Sequence, residues 1–431
     1  MSALTITPHG PLRGTIRVPG DKSITHRALL AGALAEGSAT ITGYCRGEDC
    51  LNTLRALQAL GVVIEVDTDT VRVWGKGLGG LTEPVLPLDC GNSGTGLRLL
   101  AGVLAGQPFF SILTGDDSLR GRPMGRIVNP LRMMGAGIQG RKGGELAPLA
   151  IQGGALQGID YQSPVSSAQI KSAVLFAGLF AEGETRFSEP MQSRDHTERM
   201  FRYLGIPLET DECHVILPGR PTYAAKDIAV PGDLSAAAFF IVGASLVPGS
   251  EVRIVNIGLN PARTGILDIL CEMGADIRIV NQREEAGEPV GDLLVRASPL
   301  RGVTIEAADV PKMIDEFPIF CVAAGLAEGR TVVTGAEELR VKETDRIHAM
   351  ATELTKLNIP VQETPDGFVL HGGAVVKGGT CTSYGDHRVA MALAIAALTG
   401  DAPTTILDTD CIATSFPHFQ DNLLELLTIS H

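Results

Sequence analysis

The sequence predicts an α/β fold of two domains, each of three βαβαββ units arranged as an inside-out α/β barrel with buried helices and outer sheets. The stretch VPGDKSITHRALLAGALAEGS, residues 18–38, returns in degenerate form as VPGDLSAAAFFIVGASLVPGS, residues 230–250, which is an internal repeat. Units of this type occur six times along the chain, in two groups of three. The first helix of each unit is made of Ala, Gly, Leu and Val on nearly every face, the composition of a helix buried all round.

Taken in order, each VPGD copy reads as a turn, an Asp that can cap a helix, a small-residue helix, a glycine stop and a β-branched strand. The spacing predicts first helices over 23–35, 94–105, 167–181, 234–247, 315–327 and 386–399, with ends about 65 to 80 residues apart. That period exceeds those of the common solenoid repeats. A second helix follows in each unit and ends in a Gly or Asn turn before another strand, as in LRALQALGVVIEV, NPLRMMGAGIQ, MFRYLGIPLET, LDILCEMGADIRIV and ELTKLNIPVQET. The sixth unit is cut short at NLLELL. The VPGD copies divide the chain into an inserted domain, 20–231, and a discontinuous one, 1–19 plus 232–431. The leader LTITPHGPLRGTIRV has no preceding unit to pair with and is expected to complete the discontinuous domain.

With 431 residues and 44% hydrophobic content, two globular domains are the default. A net charge of −13 and a pI near 5.2 argue against general binding to nucleic acid or a membrane surface, which needs a basic footprint. An anionic ligand must then be held by a local basic cluster. The eight cysteines (45, 50, 90, 213, 271, 321, 381 and 411) stand singly, without zinc-ligand spacing, and are expected to be buried reduced thiols. No export signal is read at the start, and the longest apolar run, 234–247, is too short to span a bilayer. A cytoplasmic monomer is the expectation.

A buried helix still presents its first turn, where free N–H groups and the helix dipole favour anions. Five of the six starts are polar or glycine-rich: GDKSITHR, GNSGTGLR, SSAQIK, MIDE and YGDHR. The fourth, GDLSAAAFF, is bland. Where the first VPGD copy has Lys22, Ser23, His26 and Arg27, the second has Leu234, Ser235, Ala238 and Phe239, so one copy carries chemistry and the other packing. Plainer readings exist for each piece. GNSGTG can be a turn, Asp315 and Glu316 first-turn carboxylates, Arg122 and Arg194 solvated loop residues, and RVKETDR an exposed helix of alternating charge. Solvating charges would be spread over the repeats, whereas these gather at one topological position.

In this order, PGDKSITHR, GNSGTGLR, Arg122-Pro123, SSAQIKSA, RVKETDR and DHRVAM followed by TSFPHF resemble the 5-enolpyruvylshikimate-3-phosphate synthase family, the 3-phosphoshikimate 1-carboxyvinyltransferases. The resemblance covers essentially the whole chain. It implies transfer of the enolpyruvyl group of phosphoenolpyruvate to the 5-hydroxyl of 3-phosphoshikimate through a tetrahedral intermediate. Phosphate is released, no metal or organic cofactor takes part, the site lies in the cleft between the domains, and glyphosate competes with phosphoenolpyruvate. The substrates together carry about six negative charges. Carried over by position, the family's 3-phosphoshikimate contacts fall on Lys22, Ser23, Arg27, the Ser167-Ala168-Gln169 helix start, Arg194 or Ser193, Asp315 and Lys342. The phosphoenolpyruvate contacts fall on Lys22, Gly94, Arg122, Gln169, Arg346 and Arg388, with His387 a further one. Asp315 would take the hydroxyl proton, and Glu343 and Lys22 would exchange the proton at the methylene carbon. Thr414 stands where many members have Lys, and Glu338 where some have Asn.

Two rivals remain at this point. The sister transferase acting on UDP-N-acetylglucosamine has Asn after the first-helix Lys and a reactive Cys before the Arg-Pro; here those positions are Ser23 and Asp117. A noncatalytic repeat scaffold would give the fourth start as much polarity as the others.

Overall fold

The computed structural model describes residues 2–428. Its backbone forms two compact units, one of Gly20–Val230 with Glu284–Glu288, the other of the segments before, between and after these. That 284–288 segment, the turn of a long hairpin, joins the inserted unit although the sequence pattern puts it in the other.

Six inner helices organise the two units: α1 (Lys22–Leu34), α2 (Gly94–Ala105) and α3 (Ala168–Gly178) in the inserted unit, and α4 (Leu234–Leu246), α5 (Phe317–Leu326) and α6 (His387–Leu398) in the discontinuous one. Capping side chains start five of them. Asp21, Ser93, Ser167, Asp233 and Asp386 each accept a backbone N–H of the first turn, which satisfies a donor the helix cannot. The exception is α5, which opens at Phe317 with Pro318 in its first turn and no side-chain cap. Asp315 therefore lies just before the helix and not within it, as expected from spacing. Burial is as the composition demands: every residue of α4 from Leu234 to Ser245, and all of α6, is buried. Small residues let the helices touch. A Cβ on Gly102 of α2 would fall on the Ala173 carbonyl of α3.

Each unit carries three sheets outside these helices. In the inserted unit, Leu88–Asp89 runs parallel to Phe110–Thr114, which pairs antiparallel with Leu146–Gln152, and Gly137–Arg141 closes the edge. Residues of Leu146–Gln152 alternate between buried and partly exposed, the signature of a strand with one face on the core. The second helices are amphipathic. His196–Leu204, for instance, buries His196, Met200, Phe201 and Leu204 and stops at Gly205 in the left-handed conformation, φ 84°.

The two VPGD turns exchange strands. Arg13–Ile16, which leads into the first copy, lies parallel to Glu251–Gly258, the strand after the second copy's helix. Ile228–Ala229, which leads into the second, lies parallel to Glu36–Thr42, the strand after α1. Ala3–Ile6 completes the truncated sixth unit by pairing with Thr404–Leu407. Gly20 cannot be replaced here, because a Cβ would overlap the carbonyl of Gly43.

One expectation and one of the plainer readings need correction. Cys271 is exposed and Cys213 and Cys411 are half-buried, although all eight thiols are free. RVKETDR is not an exposed helix: a 3-10 turn ends at Val341, and the following helix, Arg346–Lys356, begins with a buried arginine. Phe416 and Phe419 of the TSFPHF segment belong to the core, where Phe416 packs edge-on against Phe240 and Phe419, and Phe419 lies tilted against Phe240.

Gly102→Ala is expected to destabilise the protein by about 1 to 3 kcal/mol, since two backbones must separate to admit one methyl group. Thermal unfolding followed by circular dichroism checks this. An unchanged midpoint would show that α2 and α3 do not need their close approach.

Candidate active site

In the inserted unit the three helix starts are joined by side-chain hydrogen bonds. His26 of α1 bonds Thr53 through Nδ1 (2.8 Å) and the α2 cap Ser93 through Nε2 (3.4 Å). Thr95 of α2 accepts from Gln169 of α3 at 2.9 Å, and Arg27 of α1 donates to Ser172 of α3 at 2.6 Å. These bonds bring Lys22, Ser23, Arg27, Gly94, Arg122, Ser167, Ala168 and Gln169 to one end of the unit.

The cations there are held in place. Lys22 pairs with Asp49 of the Glu48–Ala59 helix at 3.0 Å. Arg27, only 2% exposed, also donates to Thr197 Oγ1 (2.7 Å) and the Ser23 carbonyl (2.8 Å). Burial lowers its pKa to about 10, partly offset by Glu198, so it stays charged at neutral pH. Arg122 spans Asn92 and Ser118 with Nη2, at 2.6 and 3.2 Å. A Cβ on Gly94 would come within 2.9 Å of Arg98 Nη1 and 3.4 Å of Arg122 Nη1; the missing side chain leaves a slot between two guanidinium groups and a helix N-terminus.

Beneath Arg194, Glu189 receives the Ser193 N–H and hydroxyl, both at 2.9 Å. Lys171 bonds Glu189 at 2.8 Å and Glu198 at 2.7 Å. Burial opposes the Lys171 charge, but the two carboxylates keep its pKa above the ordinary value. This buried triad fixes the loop that carries Ser193 and Arg194.

In the discontinuous unit Arg346 is the hub, 2% exposed. It donates Nε to Asp386 (2.9 Å) and Nη2 to Glu343 (2.6 Å), and its Nη1 stands 3.6 Å from Asp315. Burial works against its charge, yet Asp386, Glu343 and Asp315 hold the pKa above the usual arginine value. Arg388 donates Nη1 to the Asp315 carbonyl at 2.9 Å, with Nη2 3.9 Å from the carboxylate. Lys342 is half-buried, and that burial lowers its pKa despite Asp315 and Glu338. The other charges of RVKETDR are structural: Arg340 pairs with Asp345 (2.7 Å) and Glu363 (2.8 Å). Thr414 ends a 3-10 turn and donates back to the Cys411 carbonyl at 2.7 Å.

Sequence reasoning missed Asp49, Arg98, Lys171, Glu189 and Asp386, whose roles depend on partners brought together only by folding. It also missed that the fourth start is not bland. Asp233, Ser235, Arg263 and Glu316 form a buried polar cluster there.

In each unit, then, buried helices open on cationic groups suited to anionic ligands: Lys22, Arg27 and Arg122 in the inserted unit, and Arg346 and Arg388 beside the Asp315 carboxylate in the discontinuous one. A family model described as EPSP synthase (3-phosphoshikimate 1-carboxyvinyltransferase) matches residues 6–423. The chain is 55% identical over 419 residues to the 3-phosphoshikimate 1-carboxyvinyltransferase of Geobacter metallireducens, covering 97% of this chain and 98% of the relative. It is 56% identical to that of Geotalea uraniireducens, with the same coverage. Among solved structures, EPSP synthase from Acinetobacter baumannii superposes with a TM-score of 0.89 at 44% identity, covering 99% of this chain and 98% of the other. This chain belongs to the EPSP synthase family. It is an enzyme of the shikimate pathway, and it moves the enolpyruvyl group of phosphoenolpyruvate to 3-phosphoshikimate.

His26 offers a test of this packing. Burial, then the charges of Lys22 and Arg27, push its pKa from 6.5 to about 3, so the folded ring is neutral while the unfolded ring takes a proton below about 6.5. The unfolded state therefore binds more protons between those values, and the ring's contribution is lost as pH falls through that window. A single such ring contributes at most about 1.4 kcal/mol per pH unit. His26→Gln should show a correspondingly shallower acid loss in urea unfolding. An NMR titration of His26 with a midpoint near 6.5 would contradict the arrangement.

Proposed function

We propose that the two sets of residues serve one reaction, with the following division of labour. Ser23 and Arg27 bind the carboxylate of 3-phosphoshikimate, and Ser167, Ala168, Arg194 and Lys342 bind its phosphate, with Ser193 beside them. Gln169 lies between the substrates. Lys22, Gly94, Arg122, Arg346 and Arg388 hold phosphoenolpyruvate, the slot at Gly94 admitting an anion close to the backbone. The enzyme works as a monomer in the cytoplasm. The net charge of −13 disfavours nucleic acid and anionic membrane surfaces as partners; among the described residues no helix is long and apolar enough to cross a membrane.

The chemistry follows from charge. Asp315 removes the proton of the 5-hydroxyl as its oxygen attacks C2 of the enolpyruvyl group, and Lys22 or Glu343 supplies a proton to the methylene carbon. The tetrahedral intermediate then loses phosphate as the methyl carbon gives a proton back, so the transferred group regains its double bond. The surroundings of Asp315 support it in the first role. Its carboxylate lies 3.6 and 3.9 Å from two arginines, and nearby cations favour the charged form that a general base needs.

The observation that carries the reading is the gathering of these cations at helix starts, with Asp315 beside Arg346 and Arg388, in a chain 55% identical to a named 3-phosphoshikimate 1-carboxyvinyltransferase. Phosphate release from phosphoenolpyruvate is expected with 3-phosphoshikimate and not with UDP-N-acetylglucosamine; the reverse would overturn it. Asp315→Asn should lower turnover by about 10² to 10⁴ while 3-phosphoshikimate binding, measured by calorimetry, stays within a small factor. Arg27→Ala and Lys342→Ala, one in each unit, should each weaken that binding. If only one does, the two sets do not share the substrate.

A further inference from the structure

The cluster at the start of α4 has no part in the division of labour above. Asp233 caps that helix, and Arg263, 5% exposed, donates to it at 3.1 Å. Arg263 also donates to the Ser235 hydroxyl, which in turn donates to Glu316 Oε1. Arg263 and the Glu316 carboxylate stand 3.7 Å apart. Ser235 and Glu316 are both 3% exposed. Replacing such a buried ionic cluster by apolar groups is often neutral or favourable, so stability is a poor account of it.

Its position suggests another. Glu316 directly follows Asp315, and the two carboxylates diverge, Asp315 toward Arg346 and Arg388, Glu316 toward Ser235 and Arg263. The backbone between them is held as well. Arg388 donates to the Asp315 carbonyl at 2.9 Å, the Glu316 N–H to the Met313 carbonyl at 2.9 Å, and the Glu316 carbonyl accepts from Phe320 at 2.9 Å. Instead of capping its own helix, the Glu316 side chain is anchored at the start of the neighbouring one.

We propose that Glu316, anchored by Ser235 and Arg263, is a positioning residue that fixes the 315–316 backbone so that the Asp315 carboxylate is aimed at the acceptor hydroxyl. This rests on Asp315 being the base. The anchor also sets the local charge. Asp315 faces Arg346 from the helix beginning there, Arg388 from α6 and Lys342 from the preceding loop, with Glu343 and Asp386 on the far side of Arg346. Glu316 faces Arg263 and feels Arg388, and Arg263 pairs with Asp233. Burial pushes the Glu316 carboxyl up, with Arg263 opposing. A second carboxylate beside Asp315 favours proton uptake there, against the pull of the arginines.

The test is steady-state kinetics of the full chain across pH. Glu316→Gln keeps shape and removes charge. It should lower kcat roughly ten- to a hundredfold, the scale of a misplaced catalytic group, with both KM values within about twofold. The acid limb of kcat/KM should move to lower pH, because a like charge beside Asp315 is gone. Ser235→Ala should lower kcat in the same direction by a smaller factor. In an Asp315→Asn background Glu316→Gln should cost nothing further, since it acts through Asp315. An unshifted limb with only a lower melting temperature, or a double variant slower by the product of the two effects, would overturn the proposal. If Glu316→Gln does not fold, Ser235→Ala decides: parental turnover and an unmoved limb reject the anchor. Asp315→Asn at parental turnover rejects the base and the anchor together, whereas an inactive Asp315→Asn beside a fully active Glu316→Gln rejects the anchor alone.

Discussion

Burying six helices on every side is the constraint from which the rest of this structure follows. A helix sealed in an apolar core has no surface along its length for polar chemistry, and its unpaired N–H groups are confined to its first turn. Five of the six first turns are capped by a side chain, and α5 instead places Pro318, which has no N–H, in its first turn. The inner helices can be this close only because Gly and Ala line their contacts, which is why their composition is so uniform.

The repeat then explains why the site residues sit at equivalent positions and yet differ so much. The same turn and cap open α1 and α4, but the first turns of α1 carry Lys22 and Arg27, whose charges are held by Asp49, Thr197 and Ser172. At α4 the charge is supplied from outside the helix, by Arg263 and Glu316, and is consumed internally. One scaffold position thus carries held cations at the start of α1 and, at α4, a bond from Ser235 to Glu316 of a neighbouring loop. The strands exchanged at the two turns make the repeat structural as well as formal, because each VPGD turn follows a strand whose sheet partner lies after the other turn's helix.

Much of this was legible in the chain itself. The repeat, the six small-residue helices, the closing glycines and the cap residues are local patterns, and local patterns survive translation into structure because they depend on neighbours three or four residues away. The Asp of each VPGD turn, Asp21 and Asp233, could be read as a cap for that reason. Boundaries were less secure: Pro318 moved the start of α5 two residues past Asp315, which turned a first-turn carboxylate into a loop residue aimed at two arginines.

By itself, the sequence determined the α/β class, the count of units, the buried inner helices and the gathering of cations and hydroxyls at helix starts, since each is a matter of composition or short spacing. Only the tertiary structure decided which charges are held and by what. Lys22 meets Asp49, Gln169 meets Thr95 and Ser235 meets Glu316 across 27, 74 and 81 residues of chain. No periodicity encodes such pairs. They arise because the helix starts are brought together when the cores close, and in that low-dielectric setting an unpartnered charge is too costly to remain.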